Sequence, residues 1–176
     1  MVKKPLLVDF SEYDLNVVVA DIDEIRKYNP QRFEMEQLTA IVYENPAQGT
    51  CVGYKDLKHD EFWTRGHFPV KPLMPGVVMC EAAAQLSSYY ARKNKLIAGI
   101  IGFGGMEEIR FRGIVEPGDR FVVTTKLLKS RSMIVTCEFQ AFVKQNLVCE
   151  GIIKGVALPM EMLTGAQASA PAEGTS

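Results

Sequence analysis

Residues 75–93 read PGVVMCEAAAQLSSYYARK, and this stretch decides the fold. Pro75-Gly76 suits a helix entry, and the Ala, Leu, Met, Glu and Gln that follow favour a helix. The apolar positions Val77 to Cys80, Ala82 to Ala84 and Leu86 do not make one narrow stripe. They wrap most of the circumference, and a helix apolar on nearly all sides is buried on nearly all sides. Only Glu81, Gln85, Ser88 and Arg92 make a polar line, at i, i+4, i+7 and i+11.

Downstream, the chain turns strand-like. LIAGIIGF (96–103), EEIRFR (107–112), RFVVTTKLLKS (120–130), SMIVTCEFQAFVK (132–144) and LVCEGIIKGVALP (147–159) follow in series. The links are short, at Pro117-Gly118-Asp119, Ser130-Arg131 and Gln145-Asn146, and short links predict antiparallel neighbours. One buried helix with several long antiparallel strands predicts an α+β fold in which a curved sheet wraps the helix.

Upstream, Asp21 and Glu24 have capping-box spacing and Ile22 and Ile25 share a face, so a short helix starts near Asp21 and stops at Asn29-Pro30. QLTAIVYE (37–44) and GTCVGYK (49–55), parted by Asn45-Pro46, read as two strands. The domain is expected over 21–160, with residues 1–20 as an extension or a first strand. The small, polar residues 164–176, TGAQASAPAEGTS, read as a disordered tail.

The bulk numbers exclude several classes. The chain has 176 residues, 47% of them hydrophobic and 23% charged, and its 20 basic and 21 acidic side chains leave a net charge of −1. Nothing there pulls the whole molecule toward nucleic acid or an anionic membrane. No run reaches the roughly 18 apolar residues of a membrane span, and the first residues carry no apolar run of signal-peptide length. Cys51, Cys80, Cys137 and Cys149 show no CxxC spacing and read as reduced, small hydrophobes of a cytoplasmic protein. His59 and His67 are the only histidines, without carboxylates or thiols at ligand spacing, so no metal site is expected. His59 sits in the charged run KDLKHDEF and reads as solvent-exposed. The glycines of GIIGFGG match no nucleotide-loop pattern.

Chemistry concentrates in GHFPVKPLMPG (66–76), which runs straight into the helix that carries Glu81. Three prolines stiffen the loop, which suits a catalytic residue that must not wander. The helix start offers free backbone N–H groups and the positive end of its dipole, where a thioester carbonyl can be stabilised as it gains charge. Glu81 stands among Val, Met, Cys and three alanines. Desolvation there disfavours its charged form and readies it to donate a proton to a leaving hydroxyl. Gln85, one turn on, is placed to orient it. Taken alone, a histidine in a proline-rich loop is more often a packing residue, and a lone glutamate on an apolar helix is more often satisfied by a neighbour. The Arg110/Arg112 pair, alternating on one strand, reads by itself as a solvated face.

The string GHFPVKPLMPGVVMCEAAAQ resembles the signature of the bacterial 3-hydroxyacyl-acyl carrier protein dehydratases of fatty acid synthesis, which have the hotdog fold. MEEIRFRGIVEPGDRFVVTTKLLKSR (106–131) is similar to their downstream region, and the likeness spans roughly Ile22 to Leu158. The resemblance implies that His67 handles the α-proton and Glu81 the departing hydroxyl. It implies a substrate-binding set of Gly76, whose N–H serves the thioester carbonyl, with Val77, Gln85 and Phe103. It implies a homodimer or a trimer of dimers, with His67 and Glu81 of one site on different subunits. It implies no metal or organic cofactor, and an acidic acyl carrier protein as partner, for which Arg110 and Arg112 are the docking candidates.

The family's upstream run PHRYPFLLVDRV is replaced here by Pro30-Gln31-Arg32-Phe33-Glu34-Met35-Glu36-Gln37-Leu38, with Gln31 at the usual histidine. Aromatics before the RFR strand give way to Gly102, Phe103, Gly104 and Gly105. Both segments flank the family's substrate tunnel. The competing readings are another acyl-thioester hotdog protein, such as a thioesterase or a specialised lipid or polyketide dehydratase, and a non-catalytic acyl-binding paralogue. The retained His67 and Glu81 favour dehydration.

Overall fold

The computed structural model describes residues 5–159; the tail expected over 164–176 lies outside them. In chain order the elements are α1 (Ile22–Tyr28), β1 (Ala40–Asn45), β2 (Thr50–Asp56), α2 (Gly76–Lys93), β3 (Ile100–Phe111), β4 (Arg120–Arg131), β5 (Ile134–Val143) and β6 (Asn146–Leu158). The strands form one antiparallel sheet in the order β1-β2-β4-β5-β6-β3. Helix α2 packs against β2, β3, β4, β5 and β6. Five strands spaced about 4.8 Å apart are roughly twice as wide as a helix, so the sheet must curve to touch it along that width. This is the hotdog arrangement.

Burial of α2 follows its composition. Met79, Cys80, Ala82, Ala83 and every residue from Gln85 to Ala91 are buried. Val77, at the first turn, departs from the expected burial and stands 69% exposed. The polar line is not a solvent stripe. Glu81 receives a hydrogen bond from Gln31, Gln85 bonds Met35 and Gln37, and Arg92 donates to the Tyr28 carbonyl. It is the seam that joins α2 to the chain around 28–37.

Strand alternation serves two cores. Ile41, Cys51 and Val123 face α2, whereas Ala40, Val42, Val52, Tyr54 and Val122 form a second cluster with Val8, Tyr13 and Leu15. A sheet covered on both faces cannot alternate apolar and polar residues, which explains its continuous apolar runs. Residues 5–20 contribute that outer cover through Val8, Tyr13 and Leu15; the segment also holds a 3-10 turn at Phe10–Glu12 and ends in an isolated bridge between Ala20 and Ile41, which belong to the α2 side. Gly53 allows the close fit on the inner face: a Cβ there would sit 3.0 Å from both Ile41 Cδ1 and Leu86 Cδ1.

Helix α1 begins where expected. Asp21 caps it by accepting from the Glu24 N–H at 2.9 Å, and Asn29 ends it. Two expectations need correction. The segments 96–103 and 107–112 are one strand, β3, interrupted by irregularities between Phe103 and Gly105 and between Glu107 and Arg110; the glycines permit a bulge without breaking the pairing. The Pro117-Gly118-Asp119 link is also no hairpin, because β3 pairs with β6 at one edge while β4 lies between β2 and β5. Residues 112–119 instead cross the molecule, anchored by fully buried Val115, whose carbonyl accepts from the Met74 N–H at 2.8 Å.

All four cysteines are buried and free. Burial pushes the Cys137 thiol up to about 11 and Cys51 well above the ordinary thiol range, so both behave as inert core residues. No helix of the described residues is long and apolar enough to cross a membrane.

Burial of α2 can be measured directly. Leu86→Ala, at a fully buried position, should lower unfolding free energy by about 2–5 kcal/mol. Val77→Ala should change it by less than about 0.5 kcal/mol. Equal losses in urea titrations would contradict the packing described.

Candidate active site

His67 is fixed by its own loop. Its N–H donates to the Trp63 carbonyl at 2.8 Å and its carbonyl accepts from the Leu73 N–H at 2.7 Å. Its Nδ1 lies 2.9 Å from the Leu73 carbonyl oxygen. A carbonyl only accepts, so Nδ1 carries the proton, and in the neutral ring the lone pair belongs to Nε2. Phe68 stacks on the ring, with centroids 4.2 Å apart. His67 is therefore an oriented imidazole, half-buried, with the nitrogen suited to accept a proton left unengaged by the loop.

Glu81 is held by amides. Gln85 Nε2 donates to Glu81 Oε1 at 2.8 Å and to the Met35 carbonyl at 2.6 Å, while Gln85 Oε1 accepts from the Gln37 N–H at 2.9 Å. That last contact fixes which end of the Gln85 side chain is nitrogen, because only an oxygen can accept from a backbone N–H. The Gln85 backbone carbonyl accepts from Asn29 Nδ2 at 2.9 Å. Gln31 Nε2 makes a longer contact, 3.4 Å, to the same Glu81 oxygen.

A cleft of about 50 Å³ opens on Glu81. Gln31, Ser88 and Phe103 contribute to its walls, with Val135 and Gly155 from the sheet; His67 does not line it. Phe103 is 46% exposed on the edge strand β3. Glu81 lies five residues into α2, roughly 7.5 Å along the axis from Gly76.

The start of α2 has no side-chain cap, since its N-cap residue is Pro75. Val78 and Met79 turn their N–H groups back onto the Pro75 carbonyl. Gly76 and Val77 are the first helical residues, and their N–H groups have no intrahelical acceptor. Glycine at 76 lets the Phe111 ring lie against the helix start: a Cβ there would sit 2.6 Å from Phe111 Cζ, so the ring would have to move aside.

A family model described as a FabA-like domain matches residues 29–152, a span that includes every one of these groups. The chain belongs to the FabA-like family. It is 32% identical over 134 residues to the 3-hydroxyacyl-[acyl-carrier-protein] dehydratase FabZ of Streptococcus pneumoniae (strain CGSP14), covering 76% of this chain and 94% of that one. It is 35% identical over 134 residues to the protein of the same name from Syntrophobacter fumaroxidans (strain DSM 10017 / MPOB), covering 74% and 88%. Its fold is similar to a chain of the dehydratase heterocomplex ApeI:P from Xenorhabdus doucetiae, with a TM-score of 0.64 and 15% identity over 80% of this chain and 94% of that one.

As a FabA-like chain it brings Glu81, Gln85 and Phe103 to one region and places Gly76 and Val77 at the helix mouth. The two arginines differ. Arg110 is exposed on β3. Arg112 lies just beyond β3 and pairs through Nε and Nη2 with the buried Glu150. Several contributors escaped the sequence reading: Gln31, the Met35 carbonyl, the Gln37 N–H and the Leu73 carbonyl. Three of these four contacts use backbone atoms, which no residue identity announces. Gln31 alone carried a signal, as a polar residue where the resemblance offers histidine.

Gln85 supports both stability and the site. Gln85→Leu strands the buried Gln37 N–H and the Met35 carbonyl, so it should cost about 2–4 kcal/mol in chemical unfolding. A loss below 1 kcal/mol would show that the segment around Met35 does not depend on Gln85.

Proposed function

We propose that the chain is a 3-hydroxyacyl-[acyl-carrier-protein] dehydratase of fatty acid synthesis, converting (3R)-3-hydroxyacyl thioesters to trans-2-enoyl thioesters with His67 as base and Glu81 as acid. The observation that carries this reading is the complementary preparation of the two groups. His67 has its proton committed at Nδ1 and a lone pair at Nε2, while Glu81 is held by amide donors at one oxygen of its carboxyl, in a cleft.

His67 Nε2 takes the α-proton, and the Cα–H electrons form the new double bond as the Cβ–O bond breaks. Glu81 gives its proton to the departing hydroxyl, which leaves as water. The N–H groups of Gly76 and Val77 stabilise the charge that builds on the thioester carbonyl. No electrons are gained or lost, and transfer of the proton from His67 back to Glu81 restores both groups. Val77, Gln85 and Phe103 complete the substrate-binding set, Gln85 by holding Glu81 and Phe103 by walling the cleft.

The active unit in this reading is a homodimer, or a trimer of dimers, in which His67 of one subunit serves Glu81 of the next. Two features support it: His67 is absent from the walls of the Glu81 cleft, and the free edge strand β3 exposes Phe103, Met106 and Phe111. The substrate arrives on acyl carrier protein, and Arg110 is the better docking candidate because Arg112 already answers Glu150. Buried free thiols suit a reducing compartment, the cytoplasm.

Loss of enoyl absorbance on incubation with 2-enoyl thioesters tests the reaction, and thiol release in the same tube would instead indicate hydrolysis. His67→Ala and Glu81→Gln should each lower turnover at least about a hundredfold. Unfolded and refolded together, the two inactive chains should regain roughly a quarter of native activity, because about half of the dimers are mixed and each has one intact site. Mixed dimers at background activity would place both groups of a site on one chain. A separate expectation concerns the carrier. Arg110→Glu should slow reaction with carrier-bound substrate, most at low salt, and spare crotonyl-CoA; equal loss on both substrates would reject a docking role.

A further inference from the structure

Glu81 has two carboxyl oxygens, and a general acid has to present its proton on the one that faces the substrate. The structure treats them unequally. Gln85 Nε2 donates to Oε1 at 2.8 Å, and Gln31 Nε2 approaches the same atom at 3.4 Å. A carboxyl oxygen that already accepts from N–H donors behaves as the carbonyl-type oxygen, because a proton on it would face two further hydrogens.

Gln31 is held for this contact. Arg32 Nη1 donates to the Gln31 carbonyl at 2.6 Å and to the Asn29 carbonyl at 2.8 Å, and its Nη2 reaches the Arg26 carbonyl at 3.2 Å. These bonds staple the chain that carries Gln31 to the end of α1. Among the described residues, Gln31 Oε1 is buried without a hydrogen-bond partner. An unmatched buried carbonyl is unfavourable. Reversing the amide would aim that oxygen at Glu81 Oε1 and set two acceptors against each other, so the N–H stays toward Glu81. Gln31 also lines the cleft that opens on Glu81.

We infer that Gln31 is a positioning residue: together with Gln85 it occupies the accepting positions of Glu81 Oε1 and so reserves Oε2 as the oxygen that carries and delivers the proton. This rests on the dehydratase reading and assigns a role to the position where the resemblance to the family fails. It acts through Glu81, so it governs turnover more than binding.

Two substitutions separate this role from simple packing. Gln31→Met keeps length and removes the donor; Gln31→His restores an N–H at similar reach. In enoyl-thioester hydration, Gln31→Met should lower kcat about tenfold and leave KM within about twofold, with the melting temperature little changed. Gln31→His should recover most of kcat. Wild-type kcat in Gln31→Met, or equal losses in both variants accompanied by lower melting temperatures, overturns the inference. A second measurement does not need activity. The side-chain amide NMR signals of Gln31, identified by their absence in Gln31→Met, should shift in Glu81→Ala, and unmoved signals overturn it. A wild type that hydrates no enoyl thioester refutes the dehydratase reading itself, and the amide signals then decide the contact alone.

Discussion

A helix buried on nearly every side leaves its few polar side chains to find partners within the protein, and the arrangement around Glu81 follows from that constraint. Gln85 answers it with every polar group of its side chain engaged: both N–H bonds of Nε2 donate, to Glu81 and Met35, and Oε1 accepts from Gln37. Because the oxygen is locked by a backbone N–H, the nitrogen cannot turn away from Glu81. A saturated network of this kind specifies one geometry, whereas a partly satisfied one would leave a polar group without its partner.

The irregular chain between α1 and β1 follows from the same need. A regular helix or strand spends its backbone groups on itself, but α2 needs carbonyls and N–H groups from outside. The chain over 29–37 supplies them, and its geometry is correspondingly strained. Phe33 sits at φ 57° and begins the 3-10 turn Phe33–Met35 that aims the Met35 carbonyl at Gln85. A left-handed conformation is unfavourable for an aromatic residue, and such strain persists where surrounding bonds over-determine it. Arg32 and Gln85 are those bonds here.

Legibility in the sequence tracked the range of the interaction. The α2 boundaries could be read because its composition and Pro75-Gly76 are local signals, and Asp21 marked the start of α1 for the same reason. His67, Glu81 and Gln85 stood out through identity and spacing. Strand partners did not, because pairing is non-local: the glycines lying between 96–103 and 107–112 permit a bulge within the single strand β3, and the turn-like Pro117-Gly118-Asp119 ends a crossover whose course depends on buried Val115 meeting Met74. Arg112 looked like solvated surface because its partner, Glu150, lies 38 residues away on another strand.

The two groups proposed for catalysis are held by different kinds of support, and the difference bears on how they could be shared. His67 is oriented within ten residues of itself, by Trp63 and Leu73, so its geometry travels with its loop. Glu81 is oriented by contacts that span about fifty residues, through Gln85 to Met35 and through Gln31, so its geometry is a property of the folded core. A site shared between subunits needs one member embedded in a rigid body and another carried to it intact on a self-sufficient projection. Loop 66–74, with Phe68 and Val70 exposed at its tip, has the second character, and α2 has the first. That division of labour lets one fold supply both halves of the proposed site without either half depending on the interface for its own internal geometry.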